Sequence, residues 1–210
     1  VRNNNHPSVV MWCVANEPMP RNLRMAGATS NSQMEDPSVP IGKAFLETLL
    51  QRARDRDSTR LVTLVTLTGS PSSWVEQCDV ICMNRYWGWY MVGGQLGEAR
   101  SGLEQELDAT WAQWRRPILL TEFGADTMAG MHGHPSVMWT EEYQADIIRL
   151  HLEVAATRSF VAGMQVWNFA DFAAVQSIMR VGGLNMKGVF TRTRAPKMAA
   201  HVLREFWVKQ

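Results

Sequence analysis

The sequence predicts an α/β fold built on a parallel sheet. Five short apolar runs alternate with longer stretches whose apolar residues recur at helical spacing. The runs are rich in β-branched residues and do not alternate strictly between apolar and polar positions, which is typical of strands covered on both faces. Strands that alternate with helices in this way form parallel sheets. Two architectures fit this pattern: an open doubly wound sheet and part of an eight-stranded (β/α) barrel.

Five strands are predicted along the chain. They are residues 8–15 (SVVMWCVA), 60–67 (RLVTLVTL), 79–83 (DVICM), 116–121 (RPILLT) and 160–167 (FVAGMQVW). An open doubly wound sheet usually has a glycine-rich turn after its first strand, and CVANEP at residues 13–18 is not such a turn. The incomplete (β/α) barrel is therefore the predicted fold.

Four amphipathic helices are predicted between and after these strands. The third opens at Thr140, a good N-cap residue, and has two acidic residues in its first turn. The fourth begins after Pro196. The first two carry one apolar stripe each, formed by Phe45, Leu46, Leu49, Leu50 and Ala53 and by Leu103, Leu107, Trp111 and Trp114.

Composition and charge narrow the choice of partners. The chain has 210 residues, 46% of them hydrophobic, which is enough for one sizeable core. A formal net charge of +1 gives no electrostatic reason to expect nucleic acid or an anionic membrane as a partner. No apolar run approaches the roughly 20 residues that span a bilayer. We predict a small-molecule substrate, and no cofactor because the chain has no glycine-rich phosphate-binding motif. The three cysteines favour a reducing, cytoplasmic location.

Polar and aromatic residues follow the predicted strands where a parallel barrel has its active site. Residues just past the carboxyl ends of the strands line the mouth of such a barrel. The residues at these positions are Asn16 and Glu17 after the first strand, Asn84, Tyr86, Trp89 and Tyr90 after the third, Glu122 after the fourth, and Trp167, Asn168 and Asp171 after the fifth.

Two glutamates on one rim suit the cleavage of a glycosidic bond. One carboxyl group protonates the departing sugar oxygen, and the other, ionised, attacks the anomeric carbon or activates water. Aromatic rings suit the apolar face of a pyranose, and amides suit its hydroxyl groups. The rim therefore predicts a glycosidase with Glu17 and Glu122 as the catalytic pair.

Other residues have plainer interpretations. Asp126 and Asp171 are predicted as loop or cap residues. The His132-x-His134 pair lacks further ligands at metal-binding spacing, so we predict no metal site. Four tryptophans are predicted to lie in the core, namely Trp12, Trp111, Trp114 and Trp207.

Four segments together resemble one family. They are HPSVVMWCVANEP (6–18), TEFGADTMAGMH (121–132), WNFADF (167–172) and NMKGVFTRTRAPKMAAHVLRE (185–205). This set strongly resembles the β-glucuronidases of glycoside hydrolase family 2, from about His6 to the C-terminus. The resemblance implies a retaining exo-β-glucuronidase whose full-length form is a homo-oligomer.

The resemblance also implies a role for individual residues. Glu17 corresponds to the general acid/base and Glu122 to the nucleophile, while Asn16 corresponds to the residue that holds the sugar 2-hydroxyl group. Further members of the sugar site would be Asn84, Tyr86, which hydrogen-bonds the nucleophile, Tyr90, and Trp167, which forms the aromatic floor. The group that receives the uronic acid carboxylate would be Arg180, Asn185 and Lys187.

In this family the Asn-Glu pair ends the fourth barrel strand. The resemblance therefore implies that residues 1–210 are one C-terminal part of a barrel domain, with strands four to eight, and that this part is a poor enzyme alone. The alternatives are a β-galactosidase or another neutral-sugar hydrolase of the family, and a non-catalytic carbohydrate-binding relic. A Rossmann-fold oxidoreductase is a more distant alternative, because no phosphate-binding loop follows a strand.

Overall fold

The structure is a computed structural model, and it describes residues 5–20 and 36–208. The predicted domain of residues 1–210 therefore includes 1–4, 21–35 and 209–210, which lie outside the described residues. The described chain alternates strands and helices in the predicted order. Its elements are β1 (Met11–Asn16), α1 (Ser38–Arg56), β2 (Leu61–Thr66), β3 (Ile81–Asn84), α2 (Leu96–Trp114), β4 (Ile118–Glu122), α3 (Glu141–Ala156), β5 (Val161–Met164), β6 (Phe172–Ala173), β7 (Leu184–Asn185) and α4 (Met198–Val208).

The five longer strands pair in the order β1-β2-β3-β4-β5, and β6 pairs with β7 in a separate antiparallel ladder. The β1/β2 and β2/β3 ladders are parallel. Five parallel strands that alternate with helices confirm the predicted fold class, an incomplete (β/α) barrel. The five predicted strands are confirmed, with boundaries displaced by at most a few residues.

The described chain divides into two compact units, each with its own core. The first contains residues up to 84 together with 111–119, and the second contains 85–110 and 120–208. In the first unit, β2 is buried along Val62–Thr66, and Val65, Val80 and Cys82 pack together. Leu46 and Leu50 of helix α1 are also buried, whereas Phe45, expected on the same stripe, is 61% exposed.

The second unit has its core around α3. This helix begins at Thr140, whose hydroxyl group accepts a hydrogen bond from the Tyr143 amide at 3.2 Å, so the predicted N-cap is confirmed. Phe123, Ile148 and Leu152 pack against α4 through residues such as Leu203. Trp207 near the end of α4 is 51% exposed, so its predicted core position is wrong. Trp207 instead borders a cavity together with Leu152 and Val161, which leaves about half of the residue uncovered.

None of the helices in the described ranges is long and apolar enough to cross a membrane.

A buried histidine lies beneath the strand that carries Glu122. His151 of α3 is 0% exposed and stacks on Phe123, the residue after Glu122, with ring centroids 5.3 Å apart. Its Nδ1 lies 2.9 Å from the Ile147 carbonyl oxygen, and burial lowers the pKa of His151 from 6.5 to about 4. The ring is therefore neutral in the folded protein at pH 5–8.

His151 should make the protein sensitive to mild acid. Below its usual pKa the unfolded chain binds a proton that the folded protein does not bind until about pH 4. Stability should therefore fall as the pH decreases from about 6.5 to about 4, by up to about 3 kcal/mol. His151→Gln keeps a donor for the Ile147 carbonyl but cannot be protonated. Its thermal midpoint should depend less on pH across this range than that of the unmodified protein.

The matched control for this measurement is His201→Gln, because His201 is an exposed histidine on α4. The control should retain the original pH dependence of the thermal midpoint. An unchanged pH slope in His151→Gln would show that other groups cause the acid sensitivity.

Candidate active site

Glu17 is the first residue after β1, and the backbone there turns sharply. Its amide donates to the Val65 carbonyl oxygen of β2 at 2.9 Å. The register between these strands shifts between Cys13 and Asn16. Glu17 has a φ of 50°, in the left-handed region that a non-glycine residue seldom adopts. The irregular end of β1 therefore fixes the direction of the Glu17 side chain, at a conformational cost of about 1–2 kcal/mol.

Asn84, the last residue of β3, holds the Glu17 carboxylate. Its side-chain nitrogen Nδ2 donates to Glu17 Oε1 at 2.9 Å and lies 3.3 Å from Asn16 Oδ1. Asn84 is 1% exposed, so its amide is positioned by the core rather than by solvent. Three of the predicted site residues thus lie together at the carboxyl ends of β1 and β3 in the first unit.

Glu122 ends β4 and is held by Tyr86. The Tyr86 hydroxyl group donates to Glu122 Oε2 at 2.5 Å, and the Glu122 carbonyl accepts from the Arg85 amide at 2.8 Å. A short bond from a hydroxyl group to a carboxylate is stronger than a bond between neutral groups. The contact predicted between Tyr86 and Glu122 is present, and it orients the carboxylate.

The loop after β4 needs a glycine. Gly124 has a φ of 149°, and a Cβ atom there would lie 2.5 Å from the Trp167 carbonyl oxygen. This close approach brings the segment that follows Glu122 against the end of β5. It also directs the next part of the loop, with Asp126, into the interior of the second unit, where Asp126 is 1% exposed.

Lys187 is buried in a ring of aromatic side chains. The residue is 1% exposed, and its Nζ atom lies 4.7 Å from the centroid of the Tyr90 ring and 5.6 Å from those of Tyr86 and Trp89. It donates to the Tyr90 hydroxyl oxygen at 2.8 Å and to the carboxylate of Asp126. The predicted site residues Tyr86, Tyr90 and Lys187 therefore form one cluster.

Arg180 joins the same cluster from the loop between β6 and β7. Its guanidinium nitrogens lie 3.2 Å from the Tyr90 hydroxyl oxygen and 3.5 Å from Asp126 Oδ2. The side chain is 23% exposed, in contrast to the enclosed Lys187. Two cations thus converge on one tyrosine and one aspartate.

Asn185 and Trp167 are positioned by their own loops. Asn185 is 5% exposed and its Oδ1 accepts from the Lys187 amide at 3.2 Å, so it shapes the turn that carries the lysine. The Trp167 amide donates to the Phe123 carbonyl oxygen at 2.9 Å, and the ring packs edge-on against Phe172, with centroids 6.1 Å apart. Trp167 is half-buried.

Asp126 and Asp171 lie in loops, as predicted, but the prediction did not include their ionic partners. Each is a buried carboxylate paired with a buried lysine, Asp126 with Lys187 and Asp171 with Lys197. Lys197 also donates to the carbonyl oxygens of Thr127 and Met186, at 3.2 and 3.1 Å. Burial raises the pKa of Asp171 and lowers that of Lys197. Asp126 and Lys197 therefore each connect the loop around Lys187 to the loop after β4.

No group of three or more His, Cys, Asp or Glu side chains in the described ranges is arranged to hold a metal ion. His132, from the H-x-H pair, instead places Nδ1 2.8 Å from Glu142 Oε1.

Comparison with known proteins is consistent with this geometry. Residues 1–210 match the family model described as glycosyl hydrolases family 2, TIM barrel domain. The chain is 42% identical over 207 residues to a β-glucuronidase of Paenibacillus borealis, covering 98% of this chain and 32% of that protein. It is 38% identical over 210 residues to the β-glucuronidase of Homo sapiens, covering 98% and 30% of the two chains.

Solved structures of β-glucuronidases also match this chain. The β-D-glucuronidase of Dictyoglomus thermophilum superposes with a TM-score of 0.84 at 41% identity, over 99% of this chain and 33% of that chain. The β-glucuronidase of Ruminococcus gnavus in complex with D-glucuronic acid gives 0.83 at 39% identity, over 98% and 33%. The chain thus spans about a third of the length of these relatives. The family model covers the whole chain, and the chain belongs to glycosyl hydrolase family 2, within its TIM barrel domain.

Proposed function

We propose that the complete protein is a retaining exo-β-glucuronidase. The observation that carries this proposal is the buried ammonium of Lys187, which lies 5.6 Å from the Tyr86 ring while the Tyr86 hydroxyl group contacts Glu122. One aromatic ring thus separates a cation from the nucleophile candidate. A glucuronide has its anomeric carbon and its carboxylate at different positions of one pyranose ring, so it could engage both groups at once.

The relatives support the same substrate class. Proteins named β-glucuronidase match nearly the whole chain at about 40% identity. One similar structure, from Ruminococcus gnavus, is a complex with D-glucuronic acid. We extend this ligand class to the present protein on the strength of the Lys187 and Arg180 cluster, since a neutral sugar offers no anion for two cations.

In the proposed reaction, Glu122 attacks the anomeric carbon while Glu17 gives its proton to the departing glycosidic oxygen. The bond from carbon to the leaving group breaks, and an ester bond forms between the sugar and Glu122. Glu17, now ionised, then takes a proton from water as the water oxygen attacks the same carbon. The ester bond breaks, Glu122 leaves as a carboxylate, and glucuronate is released with its original configuration.

The other residues have supporting roles in this proposal. Tyr86 orients the attacking carboxylate, and Asn84 orients Glu17 through the 2.9 Å bond to Oε1. Asn16 would bind the sugar 2-hydroxyl group, and Trp167 would provide an apolar floor for the sugar ring. Asn185 would support Lys187 at the uronate carboxylate.

Lys187→Met tests the proposed substrate class. The change removes the ammonium and keeps an unbranched side chain of similar length. In the complete enzyme, kcat/KM for an aryl glucuronide should fall by roughly ten- to a hundredfold, because a charge-assisted contact of this kind contributes about 1.5–3 kcal/mol. The rate with the matching aryl glucoside should hardly change, because a neutral sugar does not use the charge.

Other results of this experiment would contradict the proposed role of Lys187 or the proposed substrate class. Equal losses on both substrates would assign Lys187 a purely structural role. A complete enzyme that prefers the aryl glucoside or galactoside, and that Lys187→Met leaves unaffected, would make the protein a neutral-sugar hydrolase.

A further inference from the structure

The carboxylate of Asp126 lies at the centre of the cation cluster without facing solvent. Its side chain is 0% exposed. Oδ2 accepts from the Lys187 ammonium and lies 3.5 Å from an Arg180 nitrogen, while Oδ1 accepts from the Met186 amide at 2.9 Å. One carboxylate therefore contacts both cations and the backbone that precedes the lysine.

These contacts hold the lysine in place. The Thr127 amide, next to Asp126, donates to the Met186 carbonyl oxygen at 3.1 Å, so the two loops are hydrogen-bonded in both directions. A lysine ammonium is seldom buried without an anion, because leaving water is costly for a charge. The aromatic faces around Lys187 attract a cation, but they do not replace a full opposite charge.

The charges of Lys187, Arg180 and Asp126 do not sum to zero. Lys187 and Arg180 carry one positive charge each, and Asp126 carries one negative charge, so one positive charge is left. A monoanionic group placed beside Tyr90 would balance it. Because Asp126 is fully enclosed and has the same sign as such a group, it is suited to act on the two cations and not on a ligand.

We propose that Asp126 is a positioning and specificity-determining residue, which holds the Lys187 ammonium and the Arg180 guanidinium at the Tyr90 hydroxyl group so that they receive a carboxylate-bearing sugar. The inference rests on the proposed function, which it deepens. Asp126 touches no reacting atom, and it contributes to the discrimination between a uronic acid and the matching neutral sugar through the two cations.

Binding of a matched pair of inhibitors tests this inference. The probes are a carboxylate-bearing iminosugar and its neutral counterpart, in which CH₂OH replaces the carboxylate, titrated into the complete enzyme by calorimetry. For Asp126→Asn, the Kd of the acidic probe should rise at least about tenfold. The Kd of the neutral probe should stay the same. Asp108→Asn is the control, because Asp108 forms an exposed ion pair with Arg158 at 2.8 Å, and both its Kd values should match those of the unmodified enzyme.

A double-mutant cycle separates positioning from a general structural role. If Asp126 acts through Lys187, adding Asp126→Asn to Lys187→Met should cost the acidic probe much less than it does in the unmodified enzyme. If Asp126→Asn alone does not fold, the double variant is compared with Lys187→Met instead. Nearly equal Kd values for the acidic probe would support a role through Lys187, and a further loss of about tenfold would overturn it.

The results distinguish the role of Asp126 from the proposed function of the enzyme. Equal losses for both probes, no loss for either, or the same loss in the Lys187→Met background would overturn the role of Asp126. Failure of the unmodified complete enzyme to hydrolyse any aryl glucuronide would instead overturn the proposed function. Preferred binding of the acidic probe that Asp126→Asn leaves unchanged would overturn only the present inference.

Discussion

Replacing Glu122 by alanine in the complete enzyme should reduce turnover of an aryl glucuronide by at least about 10³-fold. The reason is that the Tyr86 hydroxyl group holds the Glu122 carboxylate at the end of β4, and alanine has no group that can attack the anomeric carbon. The thermal midpoint should change little, because Glu122 is only half-buried. Steady-state kinetics measure the loss, and thermal unfolding confirms that the variant is folded.

Added azide distinguishes a missing nucleophile from a damaged fold. In Glu122→Ala, azide can enter the space of the lost carboxylate and attack the anomeric carbon directly, while Glu17 still protonates the leaving oxygen. The product should be the α-glucuronosyl azide, with inverted configuration. Glu153→Gln, which alters an exposed carboxylate on α3 paired with Arg100, is the control and should keep full activity. Restored turnover that gives the β-azide would contradict the assignment of Glu122.

Glu17→Gln should have an effect that depends on the leaving group. An alkyl glucuronide needs protonation of its departing oxygen, so its rate should fall by about 10²–10⁴-fold. A dinitrophenyl glucuronide leaves without a proton, so its first step should be nearly unaffected and a burst of dinitrophenol should precede slow hydrolysis. The slow phase follows because Glu17 no longer takes a proton from the attacking water.

Azide again gives a distinct product for this variant. It should attack the ester on Glu122 without needing a base and yield the β-glucuronosyl azide, with retained configuration. Opposite azide anomers from the two variants would assign the two carboxylates separately. The same loss with every leaving group would show that Glu17 is not the general acid.

The fold was largely predictable because buried parallel strands have a simple signature. The apolar runs at residues 60–67 and 116–121 became β2 and β4, since strands covered on both faces need continuous apolar sequence. The pair β6 and β7 was not predicted. Each is two residues long, and two residues show no periodicity.

The contacts among several site residues were also predictable from the parallel sheet. The carboxyl ends of parallel strands lie along one edge, so Asn84 and Glu17 could be expected to meet, and they do, as do Tyr86 and Glu122. Asp126 was missed because its partner Lys187 lies 61 residues away, on a loop whose path depends on tertiary packing. The sequence contains no local spacing that would join them.

The prediction from sequence was also wrong about the burial of two aromatic side chains. Phe45 and Trp207 lie at helical positions that a stripe of apolar residues assigns to the core, yet they are 61% and 51% exposed. Periodicity identifies the residues that share a face of a helix, but it does not show how much of that face another element covers.

The separation of the Glu17 and Glu122 carboxyl groups stays a prediction, and it decides the stereochemistry of the reaction. A retaining enzyme requires about 5–5.5 Å, whereas an inverting enzyme leaves room for water at about 6.5–9.5 Å. The most direct test is proton NMR of the first sugar released when the complete enzyme cleaves an aryl β-glucuronide, recorded before the anomers equilibrate. We expect β-glucuronate to appear first and the α anomer to grow in only by mutarotation. The α anomer as the first product would contradict the assignment of Glu122 as a nucleophile and the double-displacement mechanism with it.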